Sequence, residues 1–100
     1  MSLPVFVRPL AEDDLIAAQT WYEQQRPGLG AEFKAEVDRF VARVQETPLI
    51  FPKVHRGARR ARVGRFPYWL FFVPYPDRLE IVACFHGRRD PREIFRRIPA

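Results

Sequence analysis

Arginine is the residue type on which any chemistry of this 100-residue chain must rest. Arg59, Arg60, Arg62 and Arg65 are crowded together, and Arg88 and Arg89 closely follow a histidine, His86. A guanidinium is a planar fork that pairs bidentately with phosphate or carboxylate and stacks on rings, where lysine offers a mobile point charge. Nucleic acid is therefore the natural partner class, with an acidic protein surface as the other. His86 adds a group whose unperturbed pKa of about 6.5 allows proton transfer near neutrality. Its place at the end of an apolar run favours instead a packed histidine that hydrogen-bonds a loop. Trp21 is a candidate partner-binding aromatic, with core packing as the equal alternative. The alternating aromatics Trp69, Phe71, Phe72 and Tyr75 read as core rather than as a base-stacking platform.

Other chemistries are poorly served. The single cysteine, Cys84, cannot form an internal disulfide and sits where a small buried hydrophobe is expected. Ser2 is the only serine, and neither a phosphate-binding glycine loop nor zinc-ligand spacing is present, so no cofactor and no metal are expected. No long apolar run and no export signal are visible, which predicts a cytoplasmic protein with no membrane partner.

Charge is divided unevenly along the chain. Residues 1–52 hold five Lys/Arg against eight Asp/Glu, net −3; residues 53–100 hold twelve against four, net +8, and eleven of those twelve are arginine. A basic surface built by the second half follows, with a merely solubilising role as the alternative.

The elements that must carry these residues can be read from periodicity. Pro4 to Arg8 alternates as a short strand, and a first helix begins around the acidic cluster Glu12-Asp13-Asp14 and runs to about Gln25, with Ala11, Leu15, Ala18 and Tyr22 on one face. Pro27-Gly28-Leu29-Gly30 breaks it. A second helix carries the stripe Leu29, Phe33, Val37, Phe40 and Val44, and Pro48 and Pro52 make residues 47–57 a connection. The period then changes to two. Arg60 and Arg62 face away from Ala61 and Val63, and two longer strands, Tyr68 to Tyr75 and Leu79 to His86, flank the turn Pro76-Asp77-Arg78. In the last strand Leu79, Ile81, Ala83 and Phe85 are expected on one face and Glu80, Val82, Cys84 and His86 on the other. Asp90 as cap and Pro91 at the first helical position predict a C-terminal helical turn to Arg97. The chain is one α+β domain over residues 1–100: a helical hairpin on a small, mainly antiparallel sheet, in the order β-α-α-β-β-β.

Several of these features occur together in a known family. Leu15 with Trp21-Tyr22-Glu23, Pro27-Gly28-Leu29-Gly30, Phe33, Pro48, Arg65-Phe66-Pro67-Tyr68 and His86-Gly87-Arg88-Arg89-Asp90-Pro91 fall in the order found in ParE-like members of the RelE/ParE toxins. The resemblance spans nearly the whole chain. It implies the toxin of a type II toxin–antitoxin system, neutralised by a cognate antitoxin whose C-terminal segment wraps it and through which alone it reaches operator DNA. Its target is DNA gyrase in ParE-type members, or messenger RNA in the ribosome in RelE-type nucleases.

The nuclease pattern carries over only in part. Its paired basic residues are similar to Arg60 and Arg62, and a later one to Arg88 or Arg89. The arginine that follows an aromatic is replaced within Phe66-Pro67-Tyr68, and the C-terminal tyrosine would fall near Ile94 or Phe95. Cleavage through the ribose 2′-hydroxyl needs a proton acceptor and a donor besides cations; of the nuclease set Arg60, Arg62, His86, Arg88 and Arg89, only His86 supplies proton transfer. A gyrase-binding protein without catalysis of its own is favoured, with Arg59, Arg60, Arg62, Arg65, Arg88 and Arg89 as target-binding residues. A ribosome-dependent endoribonuclease and a non-toxic binding module are the alternatives.

Overall fold

The computed structural model describes residues 2–98. They form β1 (Val5–Val7), α1 (Pro9–Gln25), α2 (Leu29–Glu46), a 3-10 turn (Pro48–Ile50), β2 (Lys53–His55), β3 (Ala58–Arg62), β4 (Tyr68–Pro74), β5 (Leu79–His86) and a C-terminal 3-10 segment (Pro91–Arg96). The strands make one sheet in the order β1-β5-β4-β3-β2. It is antiparallel except at β1, which returns beside β5 in parallel after the long excursion of the chain. The N-terminal strand thus joins the sheet at an edge.

Pro9 does more than end the first strand: it opens α1, where its fixed φ and missing N–H cost nothing. The break between the helices is built by Glu23. Its carboxylate accepts the Gly28 N–H at 3.0 Å and the Gly30 N–H at 3.0 Å, satisfying donors around the α2 N-terminus. Gly28 takes φ 89°, and a Cβ on Gly30 would lie 2.8 Å from the Gln19 carbonyl oxygen. The Glu23 and glycine motif is therefore a helix-hairpin device.

Both faces of the sheet are covered, as the apolar character of β5 implies. On one, Ala11, Ala18, Tyr22, Phe33, Val37 and Val44 from the helices bury Leu70, Phe72, Leu79, Ile81 and Cys84. On the other, Ile94 and Ile98 close over Phe71, Val73, Val82, Ala83 and Phe85. The short tail is thus a second cover, held by Asp90, whose carboxylate caps the Arg92 N–H at 2.9 Å as expected.

Two expectations are corrected. Residues 47–57 are not only a connection, because Lys53–His55 pairs with β3 across the two-residue turn Arg56-Gly57. Both turn residues have positive φ, 44° and 82°, the requirement of a tight hairpin whose twist matches its strands. The alternation in β5 also reverses: Phe71 opposes Ala83 but Phe72 opposes Ile81, so Val82 is an extra, bulged residue. Val82, Ala83 and Phe85 consequently pack under the tail, while Leu79, Ile81 and Cys84 pack under the helices.

Beyond Ile81 the outer edge of β5 has no strand partner, and side chains take over. Asp14 accepts the Cys84 N–H at 3.0 Å, and Arg97 donates to the Val82 carbonyl at 3.1 Å and to Asp14 itself at 2.8 Å. One ion pair so satisfies a strand edge and ties the tail to α1.

Candidate functional site

The register of β3 sorts its arginines. Arg60 opposes Phe71 and Arg62 opposes Trp69, which places both on the sheet face away from the helices; Arg59 and Ala61 oppose Phe72 and Leu70 on the helical side. The Arg60 guanidinium lies 4.1 Å over the Trp69 ring, a cation–π arrangement that limits its rotamers. Arg62 is exposed beside it. Among the described residues no carboxylate pairs with either. The two form a ready anion-binding pair, about 6.5–7 Å apart along an extended strand.

The remaining candidates are placed elsewhere. Arg59 donates to the Leu49 and Phe51 carbonyls at 3.1 and 2.7 Å, holding the 3-10 turn against the sheet. Arg65 is paired with Glu32 at 2.5 Å. His86 opposes Tyr68 and so lies on the helical side, its ring edge-on to that tyrosine with centroids 5.2 Å apart. Its Nδ1 accepts the Arg88 N–H at 3.0 Å, which leaves the proton of the neutral ring on Nε2. The loop-bonded histidine expected at a strand end is what this is. Arg88 itself is exposed.

Trp21, His86 and Arg89 meet in a groove of about 600 Å³ between α1 and the ends of β4 and β5, with Asp14, Tyr22, Tyr68 and Cys84 in its wall. Trp21 is 53% exposed and meets Tyr22 edge to face; Tyr22 is core. Arg89 stands at the rim between the two faces. It is paired with Glu93 at 2.6 Å and stacked 4.1 Å over Phe85, the ring that continues the row Arg62, Trp69, Phe85 across the sheet.

Much of the basic half is consumed internally. Arg78 and Arg8 both bond Glu80 at 2.7 Å and hold its carboxyl below the usual range; Arg92 pairs with Asp90 at 2.9 Å, and Arg97 with Asp14. Arg8–Glu80 and Arg97–Asp14 join residues far apart in the chain, which sequence reading could not pair; Arg78–Glu80 and Arg92–Asp90 are local, and only their rotamers decide that they close. Burial pushes the Cys84 thiol up to about 12, so the protein holds it as an inert thiol in the core. Among the described residues no group of three or more His, Cys, Asp or Glu is arranged to hold a metal, and no helix is long and apolar enough to cross a membrane.

A helical hairpin on a small mixed sheet, with Arg60 and Arg62 unpaired on the face away from the helices, defines a basic α+β protein. The family model of the ParE toxin of the type II toxin–antitoxin system parDE matches residues 5–91, and the chain belongs to that family. No curated protein matches it in sequence. Among solved structures, a chain of the chromosomal ParDE TA system from P. aeruginosa is similar with a TM-score of 0.74 at 17% identity, over 85% of this chain and 96% of that one. At that identity the likeness bears on fold alone, and it supports the α+β architecture read from the sequence.

Proposed function

We propose that this ParE-family toxin arrests growth by binding DNA gyrase, without catalysis of its own, and that a cognate antitoxin neutralises it. One observation carries the choice of a binder over a ribosome-dependent nuclease: the free arginines and the proposed proton-transfer group lie on opposite faces of the sheet. Arg60 and Arg62 face away from the helices, and His86 faces them.

The position near which the nuclease pattern places its tyrosine supports the same reading. Ile94 is buried, and Phe95 stacks on His55 with centroids 3.9 Å apart, a ring without a hydroxyl covering the imidazole that shares the arginine face. Cations for phosphate charge are present there, and a free acid–base pair is not.

Induction in cells with separate readouts tests this. Relaxed or cleaved plasmid DNA preceding any fall in protein synthesis is the expected result. Codon-positioned cuts in translated messages, seen by primer extension, would replace the gyrase reading with the nuclease one. Growth unaffected by either route would leave a non-toxic binding module.

A further inference from the structure

We infer that the β2–β3 hairpin is a binding ribbon for the phosphodiester backbone of DNA, contacted by Arg56 at its tip and by Arg60 and Arg62 on one face, without regard to base sequence; Lys53, in register with Arg59, lies on the other face. This goes beyond the gyrase reading, because the contact belongs to the toxin chain alone.

Three observations converge on the hairpin. No Asp or Glu occurs between Glu46 and Asp77, so the hairpin carries no acid of its own. Of its five cations only Arg59 is engaged, by the Leu49 and Phe51 carbonyls; Lys53, Arg56, Arg60 and Arg62 have no carboxylate partner among the described residues. Elsewhere in the basic half Arg65, Arg78, Arg89, Arg92 and Arg97 have such partners, and Arg88 and Arg96 have none among the described residues, so the hairpin holds the larger group of unpaired cations.

The tip of the hairpin adds an independent sign. Arg56 has φ 44°, a left-handed conformation in which glycine or asparagine is the favoured occupant. A strained residue that carries an exposed cation at a turn tip points to a contact made there.

Arg60 favours the phosphate backbone over the bases: its guanidinium lies 4.1 Å over Trp69, so the ring is covered on that side and offers no platform to a base. Backbone recognition without base readout is what such a surface performs. The protein's net charge of +5 draws a polyanion to it.

The test is fluorescence anisotropy of the full chain with a labelled DNA duplex across salt concentrations. Three phosphate contacts give a slope of log K against log salt of about −2.7, at about −0.9 per contact. Arg56→Asn with Arg62→Gln should make the slope shallower by about 1.8 while raising the melting temperature, since asparagine fits the turn. Arg60→Gln should weaken binding and change Trp69 emission. Lys34→Gln, on α2 and paired with Asp38, should change neither slope nor affinity. No salt-dependent binding, an unchanged slope in the double variant, or tighter binding of polyglutamate of matched charge would overturn the assignment, the last in favour of an acidic protein. Gyrase is absent from the assay, so failure here leaves the proposed target untouched.

Discussion

Cys84 couples the core to pH. Burial raises its thiol from 9.0 to about 12, with the nearby Asp14 charge a lesser cause. Between those values the unfolded chain releases the proton and the folded protein keeps it. Stability from this group is intact below pH 9 and falls by about 1.4 kcal/mol for each pH unit across the window. The phenols of buried Tyr22 and half-buried Tyr68, also raised by burial, act in the same sense above pH 10. Alkaline melting curves should show this loss, and Cys84→Ala should show less of it. At pH 8 iodoacetamide should leave the native thiol unmodified and alkylate it in denaturant; rapid native labelling would contradict the burial argument. The Asp14–Arg97 pair belongs to the same scale. Both side chains are mostly covered, and Arg97→Gln would leave a carboxylate and the Val82 carbonyl short of a donor. A cost of about 2–3 kcal/mol is expected, read as a lowered melting temperature.

Elements were legible where their signals are local. The stripe on α2, the proline–glycine break, the Asp90 cap and the turn before β5 all depend on residues within a few positions of one another, and each stands where the sequence placed it. Elements set by pairing were not legible in the same way. β2 is three residues between a proline and a turn, too short to show a period, and exists because Arg56-Gly57 folds it onto β3. The bulge at Val82 leaves no mark in a run apolar on both faces, yet it turns Ala83 and Phe85 from the helical side to the tail side. The helical hairpin offers the direct check at this scale. Gly28→Ala puts a Cβ on a left-handed residue and should cost about 1 kcal/mol, with the same fold by circular dichroism. Gly30→Ala drives its Cβ against the Gln19 carbonyl and should cost more. Equal melting temperatures for both variants and the parent would remove the hairpin's glycines from the stability account.

Across the molecule, the sequence placed charge correctly by half and only partly by surface. Arg60 and Arg62 face outward as their alternation with Ala61 and Val63 implied. Arg59 shares their strand but is spent on carbonyls, and Arg65, Arg78, Arg92 and Arg97 are spent on carboxylates. His86, near Arg88 and Arg89 in sequence, is divided by the sheet from Arg60 and Arg62, a relation that only strand register determines. That division is what supports the proposed binder over a nuclease. Arg60→Glu with Arg62→Glu should therefore abolish growth arrest while the protein stays folded, since both side chains lie outside the core; full toxicity at equal soluble expression would remove this face from the site. The most direct test of the central claim is a supercoiling and cleavage assay with purified DNA gyrase. The protein should inhibit supercoiling or trap cleaved DNA at stoichiometric amounts, and the antitoxin from the neighbouring reading frame should reverse the effect. Unchanged gyrase activity together with arrested translation in a ribosomal assay would contradict it.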